Sequence, residues 1–316
     1  MSNIPFAQQR ALLQERRANK TFQRWRHAAR ECVAGSRDVP EFSFMLVADD
    51  YALSPAVSRG IREALAAGRL SGTGAMTNRP SWQVAARELE AAGFSARAGL
   101  HLNLTCGEPL TRCPDLAPAG TFPALKPILA GARRSSLPQA ELVAEIGAQL
   151  DAFAAALGRP PAYVDGHQHV HMLPQIREIL FDALSKRGWQ SSLWLRDSAD
   201  NPVAILRRRV EITKAMAVAV LGRDFGAMAR AAGFAVNAGF AGFSAFAPSG
   251  DYGSDFARYL IAPGERHLVM CHPGYADEEL ARVDPNTLSR ENELRFLLSS
   301  AFPLTIARAD AELLPV

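Results

Sequence analysis

Phe42-Ser43-Phe44-Met45-Leu46-Val47-Ala48-Asp49-Asp50-Tyr51-Ala52-Leu53-Ser54-Pro55 is the stretch on which the reading of the fold turns. Its first half is almost wholly apolar, the pattern of a strand buried on both faces, as strands of parallel sheets are. The run ends in two aspartates. Ser54 then offers an N-cap and Pro55 an N1 proline, and Val57, Ile61 and Leu65 recur at helical spacing as far as Gly68. Two carboxylates therefore stand at the carboxyl end of a buried strand, just before a helix. In barrels and open α/β sheets that rim is where active sites form.

The same alternation continues outward. Strands are expected over residues 72–78, 96–104, 162–167, 192–196 and 266–271, and helices over 81–92, 137–157 and from Pro174 to near Arg187. A Pro- and Gly-containing loop over 106–127 is long enough to be a lid or substrate loop. Residues 203–232 have a helical pattern with Arg207-Arg208-Arg209 and an apolar run from Ala215 to Leu221. A packed helix with a charged outer face is favoured there over a membrane-proximal or substrate-facing patch. Residues 233–247 read as a short strand and a mobile loop, and 286–300 and 305–314 as closing helices. Repeated strand-helix units imply an α/β fold with a barrel-like or doubly wound parallel sheet.

The chain has 316 residues, 48% hydrophobic and 21% charged, with a formal net charge of +3, which excludes a mostly disordered protein. Much of the basic excess lies in residues 1–41, where Arg10, Arg16, Arg17, Lys20, Arg24, Arg26 and Arg30 surround Phe22 and Trp25. That segment reads as a basic helical extension ahead of one domain over 42–316, and a solvated helix is favoured over a membrane-surface or partner-binding arm. No concentrated basic face suggests nucleic-acid binding. No apolar run is long enough to span a bilayer, so at most peripheral membrane contact is expected. The start lacks an apolar signal core, and Cys32, Cys106, Cys113 and Cys271 form no CxxC pattern, so reduced thiols in a cytoplasm are expected. A homodimer is compatible with the chain.

The other strand ends carry ionisable groups too. Val164-Asp165-Gly166-His167-Gln168-His169-Val170-His171 packs a carboxylate and three imidazoles together, and strand alternation would aim Asp165 and His167 the same way. His101 ends another strand and His272 a third. In a parallel barrel these ends meet at one face. One carboxylate and two imidazoles make three ligands and leave an open position for water, as a catalytic metal site requires. A second carboxylate beside such an ion can take the water's proton.

Ala48-Asp49-Asp50-Tyr51-Ala52-Leu53-Ser54, Gly99-Leu100-His101-Leu102-Asn103-Leu104, the 164–171 stretch and Cys271-His272-Pro273-Gly274 together resemble the YdjC-like carbohydrate deacetylases, which include chitooligosaccharide and hopanoid-biosynthesis-associated deacetylases. The resemblance runs in order from about residue 42 to 315. It implies a deformed (β/α) TIM-like barrel that removes an N-acetyl group from an amino sugar on an oligosaccharide or lipid, using a divalent ion. By the same resemblance Asp50, His101 and His167 would be the metal ligands, Asp49 the general base and His272 the general acid. Asp165, Arg196, His169 and His171 would support the ligands or touch substrate, and Tyr51, where the family usually has phenylalanine, would add a hydroxyl near the pocket. Ligand softness leans toward zinc, whereas the resemblance points to magnesium. Two other readings compete: a glycoside hydrolase using Asp49 with Asp165 as paired carboxylates, and a catalytically silent metal- or sugar-binding protein. Because adjacent strand residues face opposite ways, Asp49 and Asp50 can share a pocket only if the strand bulges or turns there.

Overall fold

A computed structural model of the chain describes residues 40–247, 250–284 and 287–316. Most of the expected basic extension, residues 1–39, lies outside the described residues.

Among the described residues nine strands form one sheet: β1 (Phe42–Tyr51), β2 (Gly72–Ala75), β3 (Ala98–Leu102), β4 (Tyr163–Gly166), β5 (Trp194–Leu195), β6 (Ala235–Val236), β7 (Phe240–Ala241), β8 (His267–Cys271) and β9 (Ala311–Leu313). Their order is β6-β5-β4-β3-β2-β1-β8-β7, with β9 paired to the start of β1, and every strand pair is parallel. Helices follow the strands, as parallel crossovers demand. The sheet curls into the deformed barrel that the sequence implies. Its carboxyl ends gather Asp49, Asp50, His101, Asp165 and the segments after β4, β5 and β8 on one side.

The central strand is long because it serves two sets of partners. Residues Phe42 to Phe44 pair with β9. Val47 to Tyr51 pair with β2, and Phe44 to Ala48 with β8. From Phe44 onward its side chains are fully buried. The helix Pro55–Ala66 begins as the sequence predicts, with Ser54 Oγ accepting from Val57 N–H and Pro55 in the first turn.

Several elements differ from the sequence reading. The helix expected over 305–314 is a helix Ala301–Arg308 followed by β9, a strand too short to show alternation. The 203–232 pattern is three short helices, Pro202–Arg208, Ile212–Leu221 and Phe225–Ala231. The middle one packs as expected on one side, with Ala215 buried and Met216, Val218, Ala219 and Leu221 half-buried against the core, and leaves Val220 exposed. The 106–127 loop is tied down rather than free, because Glu145 accepts from Leu110 N–H, Thr111 N–H and the Thr111 hydroxyl, and Glu141 from Leu116 N–H. No helix among the described residues is long and apolar enough to cross a membrane.

Close packing beneath the site depends on one small residue. A Cβ on Gly99 of β3 would stand 2.5 Å from the Tyr163 ring, which is itself fully buried and stacked 4.6 Å from Trp194. Gly99→Ala is expected to destabilise the fold by about 1–3 kcal/mol through forced repacking. A lowered urea midpoint at unchanged slope would register it.

Candidate functional site

Asp49 and Asp50 are neighbours in sequence and yet serve one cluster. The backbone makes this possible: Asp50 has φ 68 and Ala52 φ 71, both left-handed, and the β1–β2 register shifts between Ala48 and Tyr51. Left-handed backbone at non-glycine residues costs about 1–3 kcal/mol each unless the surroundings over-determine it. Here they do. Leu53 N–H donates to Asp50 O at 2.9 Å, Ala52 N–H to Ser58 Oγ at 3.0 Å, and Met76 N–H to Tyr51 O at 2.9 Å.

Asp50 Oδ1 lies 3.0 Å from His167 Nδ1 and 3.3 Å from His101 Nε2. The other face of His101 is held by Asp165, Nδ1 to Oδ1 at 2.6 Å. A carboxylate on the far ring nitrogen orients an imidazole for an ion and raises its basicity. The three inward atoms of Asp50, His101 and His167 all fall within 4.8 Å of one another. Donors about 2.0–2.2 Å from a common ion stand roughly 3.0–3.5 Å apart, so both measured separations suit one ion. The donor set therefore fits a divalent cation. Strand β2 passes close beneath, where a Cβ on Gly74 would stand 3.2 Å from Asp165 Oδ1 and from the His101 Cβ.

Asp49 has a different partner. Arg196, just past β5, donates to it with both terminal nitrogens, Nη1 to Oδ2 at 2.7 Å and Nη2 to Oδ1 at 2.6 Å, and also pairs with Asp165. Burial alone would raise the Asp49 pKa, but Arg196, His101 and His272 outweigh it and hold the carboxyl well below its usual range. His272 Nε2 approaches Asp49 Oδ2 at 3.9 Å, with its ring 5.1 Å from that of Phe246. Burial depresses the His272 pKa to about 4. For His101 burial works the same way but loses to Asp165 and Asp49, and the imidazole rises to about 10. His167 and His272 are the partly exposed members, with side chains 19% and 12% accessible, and they mark the mouth of the cluster.

A YdjC-like protein family model matches residues 43–308. The chain belongs to the YdjC-like family. A chitooligosaccharide deacetylase of Klebsiella pneumoniae subsp. pneumoniae is 33% identical over 231 residues, 73% of this chain and 81% of that one. The Escherichia fergusonii protein of the same name is 29% identical over 269 residues, 82% of this chain and 92% of its own. Among solved structures, an Enterococcus faecalis V583 protein named for cellobiose-phosphate cleavage shares the fold with a TM-score of 0.64 at 21% identity, over 86% of this chain and 97% of that one.

Within this YdjC-like chain one expected site residue lies elsewhere. The Tyr51 hydroxyl is not near the pocket: it donates to Ala85 O at 2.8 Å and accepts from Arg62, because the bulge turns its ring toward the helix Trp82–Ala91. His171 is buried, with Nε2 donating to Arg196 O at 2.8 Å and its ring 5.3 Å from Phe225, so it steadies the Arg196 backbone. His169 packs against Phe240 and Phe243. Gly166 is extended, so Asp165 and His167 both enter the cluster as alternation predicts, and Gln168 and His169 then turn the chain in left-handed conformation.

Two residues that the sequence reading missed complete the cluster. Both lie on the helix Thr287–Leu298, where Arg290, Glu293, Leu294 and Leu297 share its buried face. Arg290 Nη2 donates to Asp50 Oδ2 at 2.5 Å and to Asp284 Oδ2 at 2.6 Å. Glu293 Oε2 accepts from His272 N–H at 2.6 Å. The available signal was spacing, since a charged pair falls in register with two leucines on an otherwise polar helix.

Removing one partner from a buried ion pair strands the other, so Arg290→Met is expected to cost about 3–5 kcal/mol at neutral pH, read by urea unfolding. Glu293 gives a pH signature. Burial lifts its carboxyl from 4.5 to about 7. Between those values the folded state binds a proton that the unfolded state has lost. Glu293 therefore lowers stability as pH rises through that window, by up to about 1.4 kcal/mol per pH unit. The stability difference between wild type and Glu293→Gln is expected to show this fall, and a flat difference would refute it.

Proposed function

We propose that this chain is a hydrolase that cleaves the acetamide of an N-acetylated amino sugar, releasing acetate and the free amine. Asp50, His101 and His167 would hold a divalent cation, which supplies Lewis acidity that polarises the amide oxygen and acidifies water. The observation that carries the reading is the division of labour between adjacent aspartates. Asp50 faces two imidazoles, whereas Asp49 is clamped by a guanidinium and faces His272. Kinship with proteins named chitooligosaccharide deacetylases supplies the substrate class.

In this reading water attacks the carbonyl carbon and gives its proton to Asp49, whose orientation Arg196 keeps fixed from both terminal nitrogens. The amide C–N bond then breaks, and the departing nitrogen needs a proton. His272 is neutral at pH 7, so that proton has to be supplied during turnover. His272 Nε2 lies 3.9 Å from Asp49 Oδ2, close enough to carry that proton from Asp49 to the amine. Glu293, accepting from the His272 backbone N–H, fixes where this relay ends.

The glycoside hydrolase reading needs one protonated carboxylic acid near neutrality. Asp49 and Asp165 share Arg196, an arrangement that opposes protonation of Asp49. For the ion, two imidazoles among three donors favour zinc or another first-row metal on ligand grounds, with magnesium the choice by family resemblance. Lipid-linked as well as oligosaccharide acceptors fit the proposal.

The test is acetate release from N-acetylated chitooligosaccharides by protein stripped of metal and reloaded separately with zinc or magnesium. Asp49→Asn is expected to lower kcat by about a hundred- to ten-thousandfold with metal content unchanged, while His167→Ala loses metal. New reducing ends in place of acetate would transfer the site to glycoside hydrolysis, and full turnover by Asp49→Asn would remove the base.

A further inference from the structure

The helix Ile212–Leu221 reads Ile-Thr-Lys-Ala-Met-Ala-Val-Ala-Val-Leu; Ala215 is buried and Met216, Val218, Ala219 and Leu221 pack half-buried on the core, which leaves Ile212 and Val220 as its exposed aliphatic side chains. Val220 is 74% exposed, and the preceding helix Pro202–Arg208 exposes Val203 and Leu206 at 58% and 52%. These helices are firmly anchored. Arg208 is buried between them and the barrel, pairing with Asp200 and donating to the carbonyls of Phe240, Ile261 and Ala262. The exposed aliphatic face is thus held in place by the fold.

Its surroundings are basic. Val203, Leu206 and Ile261 line a groove with Arg207, Arg209 and Arg258. Glu211 answers Lys214 at 3.2 Å, Asp200 answers Arg208 and Asp255 acts on Arg258, which leaves Arg207 and Arg209 with no carboxylate in ion-pair contact among the described residues. That charge excludes two occupants. The segment 1–39 is itself rich in arginine, and a second copy would set arginine against arginine. The exposed large apolar side chains here are all aliphatic, without the aromatic anchors that dominate protein interfaces. Aliphatic residues rimmed by unpaired arginines are the makeup of a surface that enters the headgroup layer of an anionic bilayer.

We propose that the helices Pro202–Arg208 and Ile212–Leu221 seat this protein on anionic membrane surfaces. The face borders the cleft: Lys214 Nζ donates to Ser244 O at 2.9 Å and lies 5.4 Å over the Phe246 ring, which in turn packs on His272. A protein docked this way carries its cleft mouth close to the lipid surface, where sugars linked to lipids are presented.

The experiment is co-sedimentation of the full chain with vesicles of phosphatidylcholine alone or of equimolar phosphatidylcholine and phosphatidylglycerol. Binding is expected to the anionic vesicles only and to weaken with salt. Arg207→Gln with Arg209→Gln should weaken it about thirtyfold, at the usual contribution per basic residue near such a surface, and Val220→Glu should abolish it. Circular dichroism and turnover of a soluble substrate should stay unchanged in all variants. Wild type that fails to bind, or variants that bind as well as wild type, would overturn the proposal, the latter assigning binding to another segment such as 1–39. A dimer in sedimentation velocity that Val220→Glu dissolves would also overturn it, in favour of a second copy. The vesicle assay reads no turnover, so its outcome is independent of whether the chain deacetylates sugars.

Discussion

Two carboxylates on consecutive residues, both almost fully buried, are the constraint around which this protein is built. Left alone at that depth, adjacent charges of one sign would not both remain ionised. Each is given its own guanidinium: Arg196 for Asp49, from 147 residues away, and Arg290 for Asp50, from 240 residues away. Bidentate and charge-assisted contacts of this kind hold geometry as well as charge. The left-handed turn at Asp50 points the two side chains to different partners, and the arginines keep them there.

This makes the site a property of the completed barrel. Strand β1 is fixed at its start by β9 and along its length by β8 and β2, so the chain's last strand helps to hold the strand that carries both aspartates. The helix Thr287–Leu298 delivers Arg290 to Asp50 and, one turn on, Glu293 to the His272 backbone. His171 does the equivalent for Arg196 through its carbonyl. Residues that never meet a substrate thus determine where those facing the cleft can stand.

What the sequence made legible follows from period and position. The apolar run of β1, the Ser54-Pro55 helix start and the acids and imidazoles at strand ends can be read because parallel strands repeat one chemistry, buried body and functional end. A bulge at Asp49-Asp50 could be required by argument, but its consequence for Tyr51, whose hydroxyl leaves the pocket for Ala85 O, depends on the local twist. Arg290 and Glu293 were hidden because charged residues on a helix usually face water, and only the leucines in phase with them say otherwise. Strand β9 has three residues, too few for alternation to show.

Charge balance gives an argument for a bound cation that is independent of distances. Asp49, Asp50 and Asp165 are buried together against Arg196 and Arg290, and Arg290 is shared with Asp284. Two guanidiniums do not neutralise three carboxylates. With protein groups alone the deficit falls on His101, between Asp165 and Asp50, whose imidazole is held in its charged form. A proton there occupies the Nε2 position that faces Asp50. A divalent ion replacing it would keep the Asp165 bond on Nδ1 and bring two positive charges where the proton brings one. The same carboxylates that raise the affinity of His101 for a proton therefore raise it for a metal.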